Sequence, residues 1–157
     1  MSDKQEIKNV FVSHYHKDEE NIAKFKDLLS DEYCIKNYSV TKEKYNEAKS
    51  EEYIKDAYLR PLINQSSTLI CLIGPETHDS KWVDWEIREA EMQGKQIIGV
   101  YIQGAKDSDV PPALEQFADA IVGWNTDNIK KALEGESIFV NANGIPRQSV
   151  SGGRVTC

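Results

Sequence analysis

The chain has 157 residues, 39% of them hydrophobic and 29% charged, which is enough apolar content to bury the core of one domain of ordinary size. Nineteen Lys and Arg against 26 Asp and Glu leave a net charge of −7, which argues against broad nucleic-acid binding but not against a small anion held by backbone amides. The longest apolar runs fall short of the ~20 residues that span a bilayer, and Met1 to Lys8 is polar with no apolar signal core, so no membrane partner and a cytoplasmic location are expected.

Val10-Phe11-Val12 reads as a short strand that stops at Ser13-His14-Tyr15-His16. Ile22, Phe25, Leu28 and Leu29 then form one helical stripe. Tyr33-Cys34-Ile35 and Tyr38-Ser39-Val40 are weak signals of a second strand, and residues 41–50 read as a polar loop. Tyr53, Ile54, Ala57 and Tyr58 repeat at helical spacing until Pro61, which predicts a kink or break near Arg60. Thr68 to Ile73 is almost wholly apolar and β-rich, the pattern of a strand buried on both faces, and it stops at Gly74-Pro75. Asp79 or Ser80 caps a helix carrying Trp82, Val83, Glu86, Ile87 and Ala90, which Gly94 ends. Ile97 to Ile102 is another buried strand, and Pro111-Pro112 opens a short helix through Phe117. Ala120-Ile121-Val122 is a last short strand, and Asn125 or Thr126 caps a helix ending near Gly135. From Ser137 to Cys157 the apolar periodicity fades and glycines recur, so the expected organisation is a domain over 1–136 and a C-terminal tail or arm over 137–157.

Strands alternating with helices predict an α/β domain with a parallel sheet and helices on both faces, because parallel strands need crossover connections. With a five-stranded order 2-1-3-4-5, the winding reverses between the first and third strands, and ligands bind beyond the carboxyl ends there. That crevice receives Ser13, His14 and Tyr15 from the first strand and Gly74 from the third. Trp82 and Glu86 stand one turn apart on one face of the next helix, at the same place. A phosphoacceptor reading fails for want of acidic residues at these strand ends, and a dinucleotide reading fails because Ser13 to Glu20 contains no glycine. His14 and His16 do not form a convincing metal pair, and no metal site is expected. Cys34 and Cys71 read as buried thiols and Cys157 as exposed, with no metal or redox spacing among them.

These residues resemble a Toll/interleukin-1 receptor (TIR) domain, and within it the bacterial TIR-like ThsB family of Thoeris anti-phage defence. Val10 to Tyr15, followed by Asp18-Glu19-Glu20, is similar to the first TIR box. Ser80 to Ile87 resembles the signature in which Trp82 and Glu86 stand four apart, and Gly94 to Val100 resembles the strand that follows. The resemblance covers about residues 7–135. It departs from adaptor-type domains: Tyr38 to Lys49 carries neither the Arg-Asp nor the Pro-Gly pair, and in place of the late aromatic box the nearest aromatic is Trp124.

The resemblance implies a flavodoxin-like three-layer TIR fold and cleavage of the bond between nicotinamide and ribose in NAD, which is then the substrate, with no cofactor. Its product is an ADP-ribose signal, favoured as cyclic, read by a separate effector protein, and self-association is a further implied partner. One carboxylate suits that chemistry. Ordinary glycosides need an acid for a poor leaving group, but nicotinamide leaves NAD neutral, and one anionic Glu can stabilise the sugar cation. Glu86 is the catalytic candidate, as electrostatic stabiliser or as nucleophile. Ser13, His14, Tyr15 and Gly74 are candidate contacts to ribose or phosphate, and Trp82 either walls the ring pocket or packs in the core. Two other readings stay open: a TIR module that acts only by association, and a nucleoside deoxyribosyltransferase-like N-glycosidase.

Overall fold

A computed structural model describes residues 8–14, 24, 25, 27, 33–38, 59–75, 77–102, 104–142 and 144–146. Tyr15, the loop expected over 41–50, the helical repeat of Tyr53 to Tyr58, most of the stripe around Phe25, Cys157 and the chain beyond Pro146 lie outside the described residues. In chain order the elements are β1 (Lys8–Ser13), β2 (Tyr33–Tyr38), α1 (Arg60–Gln65), β3 (Thr68–Ile73), α2 (Lys81–Met92), β4 (Gln96–Tyr101), α3 (Pro112–Phe117), β5 (Ala120–Val122) and α4 (Thr126–Leu133). Every strand pairing is parallel, and the sheet runs β2-β1-β3-β4-β5. The winding therefore reverses between β1 and β3, where Ser13 is the register partner of Cys71.

The two faces of the sheet follow from the period of two along each strand. Phe11, Leu69, Cys71, Ile73, Ile97, Tyr101 and Ile121 pack with Ile63 of α1, Val83, Ile87 and Ala90 of α2, and Ala113 and Leu114 of α3. Val10, Val12, Ile70, Leu72, Ile98, Val100 and Val122 turn the other way, onto the helical residue Phe25 and onto Ile129, Ala132 and Leu133 of α4. Both faces are covered, so β3 is buried at all six of its positions. Ser13 follows Phe11 by two residues, and the alternation places it on the face that α1 and α2 cover.

Pro61 sits in the first turn of α1, where its missing N–H leaves no bond unmade, and Leu59 before it already has helical dihedrals (φ −77°, ψ −44°). The break expected near Arg60 is present: Leu59, at the junction with α1, is a π-helical residue. Asn125 caps α4 by accepting from the Asn128 N–H at 2.9 Å, and Gly135 ends that helix with φ +108°.

Past Glu136 the chain forms an arm along β5. The Ile121 N–H donates to the Ile138 carbonyl at 2.7 Å, and the Val140 N–H donates to the Ile121 carbonyl at 2.9 Å. β5 is only three residues long and would otherwise present an unpaired edge. Val140 is buried there and joins the core. The glycine-rich composition in this stretch serves a turn: Gly144 has φ +88°, and its N–H donates to the Asn141 carbonyl at 2.8 Å. Among the described residues, no helix is long and apolar enough to cross a membrane.

Candidate active site

The site begins with the turn that leaves β3. The Gly74 N–H donates to Thr77 Oγ1 at 2.8 Å, and the Thr77 N–H returns to the Gly74 carbonyl at 3.0 Å. Both residues are buried, so this reciprocal pair satisfies backbone groups that water cannot reach. The Ser80 N–H then donates to the Thr77 carbonyl, and Ser80 Oγ accepts the Val83 N–H at 3.2 Å as the N-cap of α2. Ser80→Ala removes that acceptor, and thermal unfolding is expected to show a loss of about 1 kcal/mol. An unchanged melting temperature would mean that tertiary packing alone holds the start of α2.

Val83, Ile87 and Ala90 form the inward stripe of α2, and Glu86 falls within it by spacing. Two turns into the helix, Glu86 is carried down onto the tip of β1. There Ser13 Oγ donates to Glu86 Oε1 at 2.6 Å, and both residues are fully buried. That length lies in the range of about 2.5–2.7 Å for a hydroxyl donating to a carboxylate, and is short for two neutral oxygens. His14, the next residue, is 4% exposed, and its Nε2 and the second carboxylate oxygen of Glu86 are both closed off from solvent. Withdrawing a carboxylate from water costs several kcal/mol, which its hydrogen bonds and charge partners have to offset.

Neighbouring polar contacts fix α2 against α1 and α3. Glu89, buried one turn on, accepts from Arg60 Nε of α1 at 3.2 Å and from Gln93 Nε2 at 2.7 Å. The Arg60 guanidinium also lies 5.4 Å from the centre of the Trp85 ring. On the other side Arg88 donates to Asp84 at 2.9 Å and sits 5.8 Å from the centre of the Phe117 ring of α3.

Of the residues expected at the crevice, the structure joins Ser13 and Glu86 at the end of β1, places buried His14 next to Ser13 in the chain, and sets Gly74 at the end of β3. Gly74 is buried with its amide committed to Thr77, so that donor is already spent within the turn. Trp82 is half-buried and packs against the core that α2 shares with the sheet. Tyr15 lies outside the described residues. Among the described residues, no three His, Cys, Asp or Glu side chains are grouped to hold a metal ion.

Sequence reasoning missed two features. The contact between Ser13 and Glu86 links residues 73 positions apart. The alternation along β1 and the inward stripe of α2 point both side chains into the same layer, but the residues themselves carry no sign of the bond. The second feature is a cleft of about 310 Å³ lined by Lys24, Tyr101, Ile102, Gly104, Gly123 and Trp124, among others, at the carboxyl ends of β4 and β5. Its sequence signal is the pair of glycines just past β4 and β5, at strand ends away from the winding reversal.

Comparison with known proteins bears on this geometry. Among solved structures, the chain is similar to a CMP N-glycosidase of Clostridium botulinum, BcmB, at 16% identity and a TM-score of 0.46, covering 81% of this chain and 98% of that one. No curated protein matches it. The family model of the Thoeris protein ThsB, TIR-like domain, matches residues 11–107, a span that opens inside β1 and includes Ser13, the turn at Gly74 and Glu86. That match takes in more than half of the chain and both partners of the buried contact, and the chain belongs to the TIR-like domain family of the Thoeris defence protein ThsB.

Proposed function

We propose that this domain cleaves NAD between nicotinamide and ribose and turns the remaining ADP-ribose into a signal for anti-phage defence. One observation carries the reading: a carboxylate, that of Glu86, is buried and hydrogen-bonded at the carboxyl end of β1, beside the winding reversal. Membership of the ThsB family supports the choice of substrate.

The chemistry asks little of the protein beyond a placed negative charge. As the C1′–N1 bond breaks, its electron pair goes to the nicotinamide ring nitrogen, which loses its positive charge. Nicotinamide leaves neutral, and no group has to protonate it. The ribose is left as an oxocarbenium-like cation, which the Glu86 carboxylate stabilises at close range in a low-dielectric site. The cation is then captured by water, with loss of a proton, or by a nucleophile of the same molecule, which closes a ring. The burial of Glu86 holds bulk water away from that carbon and favours the internal nucleophile, so a cyclic ADP-ribose product is the favoured form. A separate effector protein reads the product.

The test is incubation of purified protein with NAD, separation of nicotinamide by chromatography and mass measurement of the partner product. Nicotinamide with a product one water lighter than ADP-ribose supports the full reading, and nicotinamide with linear ADP-ribose retains cleavage but removes cyclisation. Adenosine, cytidine and CMP run in parallel. Base release from these, with NAD intact, replaces the proposal with nucleoside or nucleotide N-glycosidase activity. No release from any of them, in dilute or concentrated protein, with or without extract of infected cells, leaves the association module.

A further inference from the structure

We infer that the cleft at the carboxyl ends of β4 and β5 is a second ligand site, and that it takes a mononucleotide, a flat ring carrying a phosphate group. The inference goes beyond the proposed reaction and makes no use of Glu86. Three observations carry it: the size of the cleft, the charge on its wall, and a glycine there that neither the backbone nor the packing asks for.

The cleft holds about 310 Å³ and lies on the far side of β3 from β1. Small-molecule pockets run from about 300 to 1,000 Å³, so this one admits a single nucleotide and not two joined together. Among the described residues on its wall, Lys24 is the only charged one, and it is exposed. In a chain of net charge −7, a lone cation on a cleft wall selects for an anion, and a compact ammonium suits a phosphate. The rest of the wall is aromatic, aliphatic or bare backbone. Trp124 is half-buried and braced by Phe25, with ring centres 5.7 Å apart and planes at 61°, so its indole is a fixed surface on which a flat ring can stack. The Tyr101 hydroxyl donates to Asp107 Oδ1 at 3.5 Å, and the same oxygen accepts the Ala142 N–H at 2.6 Å, which pins the arm as one side of the cleft. Gly123 is the third observation. Its φ lies outside the left-handed region, so no turn requires glycine, and a Cβ added there would meet no atom within 4 Å. Gly99 of β4 is the contrast, because a Cβ there would stand 2.7 Å from Leu114 Cδ2. A glycine with no conformational or packing cause, on the wall of a cleft, leaves room for something outside the chain.

The experiment follows the indole N–H signals of nitrogen-15-labelled protein by NMR during titration with AMP, UMP, adenosine and inorganic phosphate. The Trp124 signal is identified as the one lost in Trp124→Phe. At least one of the two nucleotides is expected to move that signal and to saturate below about 1 mM, with adenosine at least about tenfold weaker and phosphate without effect on the ring. Lys24→Glu should weaken the nucleotide about tenfold or more and leave adenosine within about twofold, because it reverses the charge and spares the ring surface. Gly123→Leu fills the cleft and should abolish the shift, with a melting temperature within about 3 °C of the parent, since the added side chain enters open space. No saturable movement with either nucleotide overturns the inference. So does an equal response to adenosine or to phosphate alone, and so does a nucleotide response unchanged in a folded Gly123→Leu or in Lys24→Glu. If Gly123→Leu does not fold, Lys24→Glu decides, because its side chain is exposed. Gly123→Leu should also cleave NAD at the parent rate, and a loss of cleavage would make the cleft part of the substrate's own site and overturn its independence. A parent protein inert toward NAD overturns the proposed function, while the titration still decides the cleft.

Discussion

Glu86→Gln is expected to lower NAD cleavage by on the order of 10³-fold or more, with a melting temperature equal to or above that of the parent. The rate follows from charge. Removing a single well-placed stabilising group from an acyl-transfer site costs about 2.7–4 kcal/mol, and each ~1.4 kcal/mol is tenfold in rate. Here the whole negative charge facing the ribosyl cation is lost, so the effect should reach at least that size. The stability follows from burial. Glutamine keeps a carbonyl oxygen to accept from Ser13 Oγ and no longer holds a charge in a fully buried position. Activity and stability thus move in opposite directions, which a purely structural carboxylate would not produce. Glu86→Asp separates charge from place: it keeps the charge but draws it back by one methylene, and an intermediate loss on the order of 10²-fold is expected. Nicotinamide release by Glu86→Gln at the parent rate would remove Glu86 from the chemistry, and a cooperative loss of folding in that variant would assign it a structural role.

Much of the scaffold around Glu86 was legible because local pattern and burial agree. β3 spans the apolar run from Thr68 to Ile73, and the proline pair and the short apolar run of Ala120 to Val122 mark α3 and β5 as the structure has them. Ser80 and Asn125, both named as candidate caps, make the cap hydrogen bonds. These signals are short-ranged, set by period, turn chemistry and capping within a few residues. What the sequence concealed is long-ranged. Whether Ser13 meets substrate or Glu86 depends on the distance between a strand tip and a helix joined to the sheet elsewhere, and no local pattern encodes it. The sequence leaves a tail or an arm beyond Glu136, because the pairing to β5 uses backbone groups of Ile138 and Val140, which composition does not encode. Pro61 lies just past the π-helical Leu59, so the break that proline signals near Arg60 is legible from the sequence.

Gly99→Ala tests the packing of this scaffold, and its sign is decided by competing terms. Alanine in place of glycine in a strand restricts the unfolded chain, a gain of about 0.4–1 kcal/mol where the native backbone accepts it. Against that, a Cβ at Gly99 would stand 2.7 Å from Leu114 Cδ2 of α3 and 3.1 Å from Ile73 Cδ1 of β3. Both side chains are fully buried, so neither can swing into solvent, and one move must displace the next. Overpacking of this kind costs about 1–3 kcal/mol. The cost exceeds the gain, and for a chain of this size the melting temperature should fall by about 3–8 °C. Gly99→Val adds two methyl groups at the same point and should fall further. Leu114→Val shortens the side chain in the way, so the penalty of Gly99→Ala measured in that background should shrink, a coupling that appears only if the two sites collide. β4 is separated from β1 by β3, so the folded Gly99→Ala protein should retain the parent kcat. A neutral or stabilising Gly99→Ala would show that α3 rides on β4 with room to spare, and that the glycine answers no demand of the packing.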